Sequence, residues 1–123
     1  MGAFTGGYTK TGMMRVFQIL EEFRKIYPDM QMQTASIFVT IAINQGITMK
    51  DLAQRIGVAQ STCSRNVALL SGMLKHDKPG YGLVVATEDP VERRRKVVNL
   101  TSRGERVAAS LDALVQEEAS AHL

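Results

Sequence analysis

Leu52-Ala53-Gln54-Arg55-Ile56-Gly57-Val58, followed after Ala59 by Gln60-Ser61-Thr62-Cys63-Ser64-Arg65-Asn66-Val67-Ala68-Leu69-Leu70, is the stretch that decides the fold of this 123-residue chain. Leu52, Ala53 and Ile56 form the inner face of a short helix that starts at Thr48-Met49-Lys50-Asp51, a capping-box pattern in which a threonine hydroxyl accepts an orphan amide. Gly57 ends it, because glycine enters the left-handed conformation at little cost. Val58 restarts the chain. Cys63, Val67, Leu70 and Leu74 then recur at steps of four, three and four, one face of a second helix over residues 60–74. Ala53 is small where the two helices must cross closely.

Two short helices joined in this way have the pattern of a helix-turn-helix. The outward side of the second carries short hydrogen-bonding side chains and one arginine, and a major groove about 12 Å wide admits such a helix with base edges in reach. The candidate readers are Gln60, Ser61, Thr62, Ser64, Arg65 and Asn66. Taken alone, the same pattern also suits a helical hairpin in any all-helical core.

Upstream, Met13, Val16, Phe17, Leu20, Phe23, Ile26 and Tyr27 recur at helical spacing and predict a first helix, which Pro28-Asp29 interrupts. Residues 33–44 are apolar on most sides, as expected of a helix in the middle of a small bundle, and Gly46 closes it. Downstream, residues 75–82 are rich in turn formers. Residues 82–87 and 96–100, rich in valine and leucine, predict two strands joined by Glu88-Asp89-Pro90-Val91-Glu92-Arg93-Arg94-Arg95, a hairpin with a basic tip. Thr101 caps a last helix to about residue 119, with Val107, Leu111, Leu114 and Val115 as its apolar stripe. The expected fold is mainly α with a small β-hairpin wing, a winged helix-turn-helix of order α-α-α-α-β-β-α. Residues 1–12 are expected to be a flexible tail and residues 13–123 a single domain.

The element order, with Glu92-Arg93-Arg94 in the wing and Leu100-Thr101-Ser102-Arg103-Gly104 leading into the last helix, resembles the MarR family of transcriptional regulators. The resemblance implies sequence-specific binding of double-stranded DNA by a homodimer, most often as a repressor. It places the second helix in the major groove and Arg93 or Arg94 in the minor groove, where a narrow A·T-rich stretch rewards a guanidinium. Arg95 and Lys96 would meet phosphates, and Asp89 and Glu92 would orient the wing. A small-molecule effector is a further partner that the resemblance implies. The chain departs from the family pattern at Ala59, where a capping Ser, Thr or Asp is usual, and in its longer 75–82 loop. Its terminal helices look short, with no second C-terminal dimerisation helix expected after Leu123. Two other readings share the fold: a winged-helix protein-interaction module, and a phage or plasmid replication accessory protein.

Charge supports a polyanionic partner. The whole chain carries +3, but residues 50–106 hold 11 Lys or Arg against 6 Asp or Glu, net +5, and the remainder is net −2. With 45% apolar residues the composition is that of a globular protein. Apolar runs stop well short of the roughly 20 residues a membrane span needs, the Met1-Gly2 start lacks the Ser or Thr that myristoylation wants at Gly6, and no secretory signal is seen. The expected location is the cytoplasm. Cys63 is the single cysteine and, on the inner face of its helix, is read as packing rather than as a redox sensor. Cys63 with His76 and Asp77 lacks an oxyanion or nucleophile-elbow sequence, so no catalysis is expected. His76 and His122 form no pair at ligand spacing, so no metal or other cofactor is expected. The seven methionines, among them Met13, Met14, Met30, Met32, Met49 and Met73, read as core and interface filler.

Overall fold

The computed structural model describes residues 7–72 and 79–121. The elements are α1 (Lys10–Ile26), α2 (Met32–Ile43), β1 (Ile47–Thr48), α3 (Met49–Ile56), α4 (Gln60–Leu70), β2 (Val84–Glu88), β3 (Lys96–Leu100) and α5 (Ser102–Ala121). This is the predicted order with one addition, β1. The chain divides into two compact units, residues 31–108 and residues 1–30 with 109–123, where the sequence predicts one domain.

Residues 31–108 contain the helix-turn-helix and the hairpin. Their core is Ile37, Phe38 and Ile41 from α2, Leu52 and Ala53 from α3, Cys63, Val67 and Leu70 from α4, and Leu83, Val84 and Val98 from the sheet side, all essentially without exposure. The sheet is antiparallel, in the order β1-β3-β2. β2 and β3 pair from Val84 opposite Leu100 to Glu88 opposite Lys96, a register that sets an acid across from a base at the wing end. β1 pairs Ile47 with Val98 and Thr48 with Val97. Gly46, at φ 88°, makes the turn into it and donates its amide to the Val98 carbonyl at 2.9 Å.

α4 stops at Leu70, four residues before the predicted end, and Leu74 lies outside the described residues. A helix end leaves carbonyls without partners. Here the returning segment takes them: Tyr81 N–H donates to Leu69 O at 2.9 Å, Leu83 to Leu70 at 2.8 Å, and Gly82 to Ser71 at 2.9 Å. A Cβ at Gly80 would collide with the Ser71 carbonyl oxygen, so this clasp needs a glycine there. Thr101 joins the other end of the hairpin to α5. Its hydroxyl donates to Gly82 O at 2.7 Å and accepts from Gly104 N–H at 3.0 Å, the predicted cap.

In the other unit, α1 begins at Lys10, not after residue 12. Thr9 caps it, accepting the Gly12 amide at 2.9 Å, and so draws three residues of the expected tail into the helix. Only Phe23 of α1 is buried. Met13, Val16, Phe17 and Leu20, predicted to lie on one stripe, do so but remain 45–62% exposed.

Candidate nucleic-acid interface

The turn between α3 and α4 has the geometry the sequence demands. Thr48 Oγ1 accepts the Asp51 amide at 3.1 Å and opens α3. Gly57, at φ 82° and ψ 37°, ends it in the left-handed region, with its own amide and that of Val58 both donating to Ala53 O at 2.9 and 3.1 Å. Ala53 is 2% exposed, so the small side chain is what allows the helices to meet. α4 then starts at Ala59 with no side-chain cap.

Gln60, Ser61, Ser64 and Arg65 are exposed on α4, and Thr62 is half-buried. The Arg65 guanidinium donates to Thr62 Oγ1 at 3.3 Å, one turn back. Asn66 corrects the sequence reading: it is 8% exposed and cannot read a base. Its Oδ1 accepts from Thr34 Oγ1 of α2 at 2.6 Å, and its Nδ2 donates to the Thr62 carbonyl at 3.0 Å. Both ends of the amide are engaged inside the protein. The signal was present in the spacing, since residue 66 follows Cys63 by three and precedes Leu70 by four and so belongs to the inner stripe.

The wing is held by Asp89. One carboxylate oxygen accepts the amides of Val91 at 2.9 Å and Glu92 at 3.4 Å, while the other pairs with Arg95 Nη2 at 3.0 Å. The backbone closes the same loop: Asp89 N–H donates to Arg95 O and Arg95 N–H to Glu92 O, both at 2.9 Å. The Val91 amide, aided by the Glu92 amide and the Arg95 charge and opposed by partial burial, holds the Asp89 carboxyl below its ordinary range. Glu92, expected to orient the wing with Asp89, takes part in this loop through its backbone. Among the described residues its carboxylate makes no hydrogen bond or ion pair. Arg93, Arg94 and Lys96 are exposed, and Arg95, although tied to Asp89, keeps 54% of its side chain in solvent.

One groove of about 560 Å³ joins the two regions. Thr48, Met49, Lys50, Asp51 and Gln54 of the α3 end line it together with Gln60 at the start of α4 and Arg94, Arg95 and Lys96 of the wing. The first turn of the second helix and the arginine cluster therefore face a common concavity with an excess of positive charge. Lys50 and Gln54 are contributors that the sequence reading passed over. Their spacing of four on the exposed side of α3 was the available clue.

Cys63 is fully buried against Met49, its sulfur 3.9 Å from the Met49 sulfur, and burial pushes its thiol up from the ordinary range. That is the opposite of what a reactive thiolate needs. His76 and Asp77 lie outside the described residues. Among those described, no three His, Cys, Asp or Glu side chains cluster as metal ligands, and no helix is long and apolar enough to cross a membrane.

An α3-turn-α4 unit backed by a three-stranded sheet, with an arginine-bearing hairpin on the same groove, defines a winged helix-turn-helix. Residues 40–71 match the family model described as winged helix-turn-helix DNA-binding. The fold is shared with MarR-type regulators. The Staphylococcus aureus MepR–DNA complex is similar with a TM-score of 0.66 and 20% identity, over 89% of this chain and 80% of that one. A MarR transcriptional regulator from Methanosarcina mazei Go1 has a TM-score of 0.63 and 16% identity, over 87% and 70%. The transcriptional repressor CouR, solved on a 23-mer DNA duplex, has 0.61 and 23%, over 91% and 72%. No curated protein matches the chain by sequence.

Proposed function

We propose that this chain is a cytoplasmic, non-enzymatic transcriptional regulator of MarR type that binds double-stranded DNA sequence-specifically as a homodimer and acts as a repressor. The observation that carries this reading is the shared groove, in which Gln60 of the second helix and Arg94, Arg95 and Lys96 of the wing face the same space. MepR and CouR, which have this fold, were solved with DNA. In this reading Gln60, Ser61, Ser64 and Arg65 are offered to base edges in the major groove, with Arg65 the side chain suited to a guanine. Arg93 or Arg94 enters the adjacent minor groove, Lys96 meets a phosphate, and Arg95 both braces the wing and adds to its positive field. A small-molecule effector belongs to the same reading.

The test is binding to a genomic fragment library at two salt concentrations, comparing wild type with Arg94→Ala. A dimer that neutralises six or more phosphates should lose about a thousandfold in affinity between 50 and 200 mM salt. Arg94→Ala should bind more weakly. A response flat in salt, with capture of proteins instead of DNA, would favour an interaction module.

A further inference from the structure

A line of hydrogen bonds runs from the core to the exposed arginine of α4. Thr34, 1% exposed in the first turn of α2, donates its hydroxyl to Asn66 Oδ1 at 2.6 Å. Asn66 Nδ2 donates to the Thr62 carbonyl at 3.0 Å, and Thr62 Oγ1 accepts from Arg65 Nη2 at 3.3 Å. The rest of the inner stripe of α4 is Cys63, Val67 and Leu70, whose apolar contacts are non-directional and tolerate small rotations of the helix. A buried amide whose oxygen and nitrogen are both engaged does not. The start of α4 has no side-chain cap at Ala59, and backbone bonds from residues 81–83 hold its far end, so the Thr34–Asn66 bond is the directional side-chain link that orients the part of the helix carrying Arg65.

We infer that the buried Thr34–Asn66 pair is a specificity-determining positioning element, which fixes the rotation of α4 about its axis and thereby the base edge that Arg65 reaches. The inference rests on the DNA-binding reading and adds to it two residues that touch no DNA. Turning a helix by one tenth of a turn carries an arginine tip several ångströms off a guanine edge, while phosphate contacts, being long-range and undirected, change little. The pair should therefore govern discrimination between sequences and leave non-specific affinity alone.

The experiment selects duplexes from a randomised pool with the full-length wild type, then measures discrimination at each position for variants on the selected site and on single-base substitutions of it. Thr34→Val removes the hydroxyl in nearly the same volume. Thr34→Ser keeps it. Thr34→Val/Asn66→Leu replaces both polar groups and leaves none unsatisfied, which keeps a folded protein available to the measurement. We expect Thr34→Val and the double variant to lose about tenfold in discrimination at the base pair where Arg65→Ala also loses it. Affinity for a random duplex and the salt slope should stay at wild-type values, and Thr34→Ser should retain discrimination. Full discrimination in the double variant, or equal loss in Thr34→Ser and Thr34→Val, overturns the inference while the wild-type selection upholds DNA binding. A wild type that selects no sequence removes the DNA-binding reading, and the inference with it.

Discussion

Gly104 sits where a methyl group has no room. A Cβ built on it would collide with the carbonyl oxygen of Leu83, and that same oxygen accepts the Thr101 amide at 3.0 Å. Backbone stands on both sides of the contact, so the structure cannot yield by turning a side chain. Gly104→Ala should cost about 3 kcal/mol, the upper part of the usual range for overpacking, and lower Tm by about 10 °C or more in a thermal melt. An unchanged Tm would show that α5 and the start of β2 can separate freely. Asp89 is the other residue with an outsized role. Its folded pKa is depressed, so its contribution is fully present above the ordinary carboxylate pKa and is lost as pH falls through the lower folded value. Acidification below pH 3.8 should accordingly shift the amide resonances of Val91 and Glu92 in NMR spectra, and Asp89→Asn should move them at neutral pH. Cys63 runs the other way: buried and with a raised pKa, it stays a neutral thiol at pH 7. Its reaction with a disulfide reagent should be slow in buffer and should accelerate with urea in step with unfolding.

α4 is held unequally at its two ends. Its C-terminal carbonyls are taken by residues 81–83, yet at its N-terminus Ala59 offers only its backbone carbonyl, to the Cys63 amide at 3.0 Å, and no side-chain cap. Ala59→Ser supplies an acceptor at an extended, exposed position and should stabilise the protein by about 1 kcal/mol, read as a rise in urea midpoint at constant m-value. The uncapped start was legible in the sequence because a cap is a property of one residue at one place. So were the 48–57 helix, whose threonine cap and terminating glycine flank an apolar stripe, and the hairpin, whose turn residues separate two valine-rich runs. β1 was not legible. Two residues have no periodicity, and Ile47 and Thr48 become a strand only because Val98 and Val97, fifty residues on, present a free edge. The end of α4 was missed for a related reason: Leu74 continues the apolar stripe, but the 81–83 segment competes for the carbonyls that a longer helix would use. Asn66 shows the limit within the site itself. Its type matched the polar row beside it, and only its place in the count of three and four assigned it to Thr34 in the core.

For the whole molecule, the decisive surface is the one left uncovered. Met13, Val16, Phe17 and Leu20 follow the i, i+3, i+4, i+7 pattern on α1 and are 45–62% exposed. A stripe of that kind normally faces a core. Contiguous exposed apolar side chains of this kind mark an interaction surface, and in the homodimer of the proposed function a second copy of the chain would cover them. The sequence showed this stripe but not its exposure, because periodicity gives the direction of a face and not what covers it. Light scattering should give a mass twice that of one chain. Phe17→Glu, which sets a charge in the middle of the stripe, should give the monomer and, by removing simultaneous contact with two half-sites, reduce affinity for a two-fold symmetric site by about a hundredfold. Binding to a single half-site should be unaffected, since α3, α4 and the wing lie in residues 31–108. A Phe17→Glu protein that remains a dimer with full operator affinity would place the interface elsewhere on the chain, and equal losses on half-site and full site would mean that the substitution had damaged the fold.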